Sequence, residues 1–216
     1  MRGPATALHL AKAYLLAKDA VIRSGFGREI DWQEEVSFEN VSEHDFLREA
    51  AWVVLSAGFR ESALRKRFPM ISQAFLNWSS ARAILEQAET CRRRATKAFN
   101  HHLKIDAIIQ TANLVTGLGF TEIKALIRCK GVEFLRELPF IGPVTAFHLA
   151  KNLGLPVVKP DRHLVRVAKV AGYRCPTSMC EAIASIVAEK LPVIDLVIWR
   201  FATLNPGYEE WFRRFA

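Results

Sequence analysis

An all-α protein is predicted by two features of the chain. Apolar residues recur three and four positions apart along nearly its whole length, and no stretch sustains the period-two alternation of a half-buried strand. Half of the 216 residues are hydrophobic, enough to bury a core as one compact unit or two small lobes. Turn signals divide the pattern. Pro4 opens a first helix that runs to about Ser24 and Gly25, since proline suits a first helical turn and glycine an end. The acidic stretch from Phe26 to Val41 is read as a surface loop. Ser42 and Asp45 have the spacing of a capping box, starting a helix that ends at Gly58. Helices are expected over residues 61–68, 69–77, 81–100, 103–117 and 121–129. Pro143 then opens a helix running to about Gly154, another starts at Asp161 and continues through Leu164 and Val167, and two more cover residues 178–190 and 192–204.

Charge points to the class of partner. The formal net charge is +8 and the isoelectric point about 9.6, and the excess is segregated. Residues 60–104 hold ten Lys/Arg against three Glu, and residues 124–174 hold ten against three acids, a net of +7 in each case. Residues 28–50 carry eight acids and two Arg, a net of −6. Two basic regions suit the two sides of a nucleic-acid groove. A single run such as Arg92-Arg93-Arg94 or Arg65-Lys66-Arg67 is equally at home on a solvated helix face. Cys91, Cys129, Cys175 and Cys180 fit neither zinc-ligand spacings nor a compact disulfide framework, which implies free thiols and an intracellular, cytoplasmic protein. His101-His102 lacks partners at metal-ligand spacing and reads as a solvated helix end. The N-terminus has no basic-then-apolar signal pattern, and the longest uncharged stretch, residues 107–121, is too short and too polar to span a bilayer. A soluble chain with no membrane partner is expected.

Residues 138–167 carry most of the chemistry. Leu138-Pro139-Phe140-Ile141-Gly142 reads as a tight turn, and Pro143 suits the first helical position because its missing N–H is unpaired there anyway. The free amides and positive dipole end of that helix make an anion site. Nineteen positions past Gly142 stands Asp161, followed by Arg162-His163-Leu164-Val165-Arg166. This pairing resembles the helix-hairpin-helix DNA glycosylases, the HhH-GPD superfamily, in which a hairpin of the pattern L-P-G-[IV]-G precedes a catalytic Asp in a D-x-[HY]-[IL]-x-[RK]-like segment. The resemblance covers roughly residues 42–205. It implies one unit over residues 1–216 made of two helical lobes, 1–30 with 130–216 and 42–129, with the helix-hairpin-helix motif and Asp161 at the cleft.

The resemblance also implies roles. Asp161 stabilises the positive charge that develops on the deoxyribose and orients water; as a plain structural alternative it caps the following helix. The amides of Ile141, Gly142 and Val144 hold the phosphate beside the lesion, with the Thr145 hydroxyl, Phe140, Lys159 and Arg162 completing the DNA contacts. His163 stands where relatives have His or Tyr and packs or orients. The segment FLREAAWVVLSAGFRES, residues 46–62, is similar to the family helix whose following loop enters the duplex. Phe59 or Arg60 would then fill the hole left by a flipped base, the alternative for Phe59 being a core position. Trp52, Trp78, Trp199 and Phe201 are candidates to stack on the flipped base, Trp199 first, although aromatics at helical spacing are commonly core.

Two departures matter. Phe140 stands where the hairpin usually has its first Gly, and a phenylalanine enters the left-handed region only under strain. Val144 stands where family members that also cut the strand carry a Lys. The expectation is therefore a monofunctional DNA glycosylase, monomeric on double-stranded, nucleoid-associated DNA, that leaves an abasic site. Its substrate is a damaged or modified base, whether in base-excision repair or in attack on modified phage genomes. Alternatives are a non-catalytic DNA-binding module and an abasic-site lyase using Lys159 or Lys151. No iron-sulfur cluster is expected, because the four closely spaced C-terminal cysteines of some relatives are missing. The sodium or potassium ion that relatives often hold at the hairpin carbonyls is carried over as implied.

Overall fold

The computed structural model describes residues 4–215, and every regular element among them is helical. Contacts divide the chain into two compact units, one built from Met1–Ser37 with Gly154–Ala216 and the other from Phe38–Leu153. The first helix, α1 (Pro4–Val21), buries Leu10, Ala13, Tyr14, Ala17 and Val21 along one face. It ends in a π-helical turn, Ile22–Phe26, where Gly25 takes φ 88°. The stretch expected to be a loop is largely a second helix, α2 (Gly27–Glu35). Its carboxylates suggested full solvation, but Ile30 turns inward and Glu29 pairs with Arg200 at 2.7 Å, so the helix has a buried face after all.

In the second unit, α3 (Glu43–Ser56) starts at the capping box read from the sequence, with Asp45 N donating to Ser42 Oγ at 3.2 Å and Ser42 N to Asp45 Oδ2 at 3.1 Å. Next, α4 (Glu61–Ala74) is one helix where two were expected: Leu64 and Ile71 anchor the same face and Phe68 packs on Trp52 at 5.0 Å. That packing outweighs the lost N–H of Pro69. Conversely, the single helix expected over residues 81–100 breaks at Gln87 into α5 (Ala81–Glu86) and α6 (Ala88–Ala98), which lets α5 pack on α7 (His102–Leu118) while α6 packs on both α4 and α7. Then come α8 (Phe120–Lys130), the four-residue α9 (Val132–Leu135) and α10 (Pro143–Asn152). Because α9 packs on α8 and α10 on α3 and α9, residues 130–153 belong to this unit and not, as the expected lobes had it, with the chain termini. Buried Glu49 of α3 accepts from Asn152 Nδ2 at 2.8 Å and ties α10 in place.

The chain then completes the first unit with α11 (Arg162–Val170), α12 (Pro176–Val187), α13 (Leu191–Leu204) and α14 (Tyr208–Arg213). Its core joins Tyr14, Leu164, Val167, Met179, Ile183, Ile194, Val197, Ile198 and Phe201. Within it the Tyr14 hydroxyl donates to Glu189, which also pairs with Lys18 at 3.0 Å. Among the described residues no helix is long and apolar enough to cross a membrane.

Candidate active site and nucleic-acid interface

The hairpin lies wholly in the second unit. Leu138 and Ile141 are buried and pin it, and Ile141 N donates to Leu138 O at 3.1 Å to close the turn. Phe140 occupies the left-handed region at φ 64°. Gly142 is extended at φ −99° and ψ −177° and serves as the N-cap of α10. The residue the turn strains is thus Phe140, while Gly142 holds a backbone geometry open to any side chain. Thr145 Oγ1 accepts from Gly142 N at 2.7 Å and donates to Gly142 O at 3.1 Å.

These bonds bear on the expected phosphate contacts. The Ile141 and Gly142 amides and the Thr145 hydroxyl serve the turn itself, which leaves the Val144 and Thr145 amides, at the second and third helical positions, directed out of the helix end. The Gly142 carbonyl already accepts from both Thr145 Oγ1 and Ala146 N. A monovalent cation at the hairpin would therefore be held by carbonyls earlier in the turn, where it would add positive charge toward a phosphate. Lys151, on α10, is only 5% exposed.

Around the hairpin the structure gathers rings that are far apart in sequence. Phe140 meets His101 edge-on, with ring centroids 6.1 Å apart, and His101 lies 6.2 Å from Phe59. Buried Phe99 supports both, 4.9 Å from Phe59 and stacked on His101 at 6.3 Å. Phe59 is 47% exposed, so it is not a core residue, and His101 is part of an aromatic cluster where a solvated helix end was expected. Lys104, 3% exposed, donates to the carbonyls of Leu55 (3.2 Å) and Ala57 at the end of α3, and its ammonium sits 4.7 Å from the Phe59 ring. Burial pushes its pKa down. Arg60 is exposed at the N-cap of α4. Trp52 packs against Phe68 and under Arg65, and Trp78 is buried against Phe75.

Asp161 lies in the first unit as the N-cap of α11. Its Oδ1 accepts from His163 N at 2.9 Å and Leu164 N at 3.1 Å, and its Oδ2 is 4.0 Å from Lys159 Nζ. The segment leading to it is held by Asp195: this carboxylate, 1% exposed on α13, accepts from Lys159 N at 2.6 Å. The sequence carries a signal for Asp195, which is the single carboxylate inside the apolar run Leu191–Leu204. The His163 ring contacts Arg162 and Tyr208. Arg162 Nε donates to its Nε2 at 3.3 Å, so the proton belongs on Nδ1, which is 3.2 Å from the Tyr208 hydroxyl. Burial pulls the His163 pKa down; Asp161 opposes this, and Arg162, Arg166 and Lys159 add to it. Arg162 is otherwise exposed. Trp199 and Phe201 pack in or against the core of this unit, with Trp199 also 4.6 Å from the Arg200 guanidinium.

No family model and no curated protein matches the sequence. Solved structures do match in fold. The 8-oxoguanine DNA glycosylase of Thermotoga maritima is similar with TM-score 0.61 and 18% identity, over 89% of this chain and 95% of that one. The 8-oxoguanine glycosylase/lyase of Methanocaldococcus jannaschii, in complex with a 15mer DNA containing 8-oxoguanine, is similar with TM-score 0.56 and 22% identity, over 88% and 96%. The 8-oxoguanine DNA glycosylase of the same organism gives TM-score 0.57 and 22% identity, over 91% and 94%. At these identities the likeness is one of fold: the chain has the all-α architecture seen in the 8-oxoguanine DNA glycosylases.

Proposed function

We propose that the protein is a DNA glycosylase of the monofunctional type, which hydrolyses the N-glycosidic bond of an oxidised purine in duplex DNA, 8-oxoguanine being the first substrate to test. The observation that carries this reading is Asp161. It is a carboxylate clamped by two amides at a helix start, nineteen residues after a hairpin with outward amides, on a fold shared with three 8-oxoguanine glycosylase structures.

The chemistry follows from that clamp. A target base is flipped out of the stack at a cost of a few kcal/mol, repaid by phosphate contacts to the Val144 and Thr145 amides and to the basic segments. As the C1′–N bond breaks, its electron pair leaves with the base and positive charge spreads over the sugar. With Oδ1 of Asp161 engaged by the backbone, Oδ2, which faces Lys159 Nζ at 4.0 Å, is the oxygen that stabilises that charge and orients a water. The water oxygen bonds to C1′, its proton passes to the departing base, and an abasic site remains. Val144 offers no amine for a Schiff base, which supports hydrolysis over lyase chemistry.

One observation favours a second reading. Lys159 Nζ lies 4.0 Å from Asp161 Oδ2, so an amine does stand beside the carboxylate, as an abasic-site lyase requires. Mass spectrometry of bases released from duplexes bearing 8-oxoguanine or other lesions, with borohydride present or absent, separates the readings. We expect free modified base, strands that break only on alkali treatment, and no trapped adduct. A borohydride adduct lost in Lys159→Gln would establish the lyase. Tight binding with no base released from any duplex would make the protein a DNA-binding module.

A further inference from the structure

We propose that Phe140 and His101, continuous with Phe59, form a stacking surface for an unpaired nucleobase, so that this chain's hairpin grips opened DNA with rings as well as amides. The inference rests on the DNA reading above and extends it to a recognition element. The three rings come from three separate connections, between α3 and α4, between α6 and α7, and between α9 and α10; buried Phe99 supports Phe59 and His101, and Phe140 joins them through its edge-on contact with His101. Phe59 and Phe140 are each nearly half exposed, 47% and 46%, so each ring keeps a part of its surface open to solvent.

The backbone argues that the ring at 140 has a use. Phe140 holds φ 64°, a conformation that glycine adopts without cost and that a bulky side chain resists. Strain of this kind persists where the side chain is needed. Charge selects the occupant. Residues 57–60, 99–104 and 138–145, which carry the rings, contain Arg60 and Lys104 and no carboxylate, and the adjoining Val144 and Thr145 amides add positive potential. An apolar protein partner has no need of such a field. A polyanion with exposed ring faces fits it, and stacking on aromatic side chains accepts any base. Unpaired bases are what an opened duplex presents.

The test uses the full chain and two synthetic duplexes, one fully paired and one with 2-aminopurine opposite an abasic-site analogue. Wild type should prefer the second and quench its fluorescence by stacking. Phe140→Gly should raise the melting temperature by relieving the backbone, yet lower that preference by about tenfold and abolish the quench. His101→Ala should lower the preference without the gain in melting temperature, and it keeps the idea testable should the hairpin variant misfold. A Phe140→Gly protein that is more stable and keeps both preference and quench would overturn the proposal, as would equal losses on both duplexes, which would mean a phosphate contact only. Wild type that binds neither duplex would instead sink the DNA reading itself.

Discussion

The carboxylate of Asp195, buried in α13, accepts the backbone N–H of Lys159 at 2.6 Å, two residues before Asp161. The bond runs through the backbone, so it sets where α11 begins and hence where its capping carboxylate stands. Asp195→Asn retains an acceptor and should keep base release within a few-fold of wild type. Asp195→Leu leaves the Lys159 amide unsatisfied, and should cost ~1–3 kcal/mol of stability and lower single-turnover base release more than it weakens DNA binding. Equal activity in the Leu variant would mean that the segment before Asp161 is held by other contacts.

Asp161 caps α11 and, in the proposed mechanism, also supplies the charge beside the cleaved bond; two substitutions separate these roles. Asparagine is as good an N-cap as aspartate, so Asp161→Asn should leave denaturant stability within about half a kcal/mol, whereas Asp161→Ala should lose about 1 kcal/mol. Both should reduce base release by ~10²-fold or more, since the electrostatic role needs the charge. Near-normal turnover in the Asn variant would reduce Asp161 to a cap.

The pH dependence of stability should carry a histidine signature. The His163 pKa lies below its ordinary value in the folded protein, first through burial and then through Arg162, Arg166 and Lys159, so the unfolded chain binds the proton more readily. Stability from this site is complete above the unfolded pKa of about 6.5 and is lost as pH falls below it toward the folded value. His163→Gln should flatten that part of the profile in urea titrations. An unchanged profile would assign the loss to another group.

The basic run at residues 92–94 is not uniform. Arg92 donates to Asp106 at 2.7 Å and also pairs with Glu89, while Arg93 and Arg94 are exposed. Neutralising Arg93 and Arg94 together should lower the slope of log affinity against log salt by ~0.9 for each phosphate contact removed. Arg92→Gln should change the slope less, because its charge is already matched. A slope that ignores the double substitution would return the run to the solvated face of α6.

What the sequence determined by itself was local. The three-and-four periodicity, the Ser42 cap, Pro143 as a helix start and Asp161 as an N-cap depend on residues within a turn of one another, and they can be read from spacing alone. The errors began where contacts at long sequence separation decide. The carboxylates of residues 26–41 suggested a loop until Arg200, 171 positions from Glu29, neutralised the inner face of α2. Pro69 stopped a helix on paper but not against the packing of Phe68 on Trp52. The same divide runs through the candidate site: the hairpin and Asp161 were legible as motifs, but the commitment of the Ile141 and Gly142 amides, the Asp195 anchor, and the meeting of Phe59, His101 and Phe140 were not. Hydrogen bonds and ring contacts of that kind are short-ranged in space and unconstrained in sequence, so only the tertiary structure, which brings distant residues within a few ångströms, could decide them.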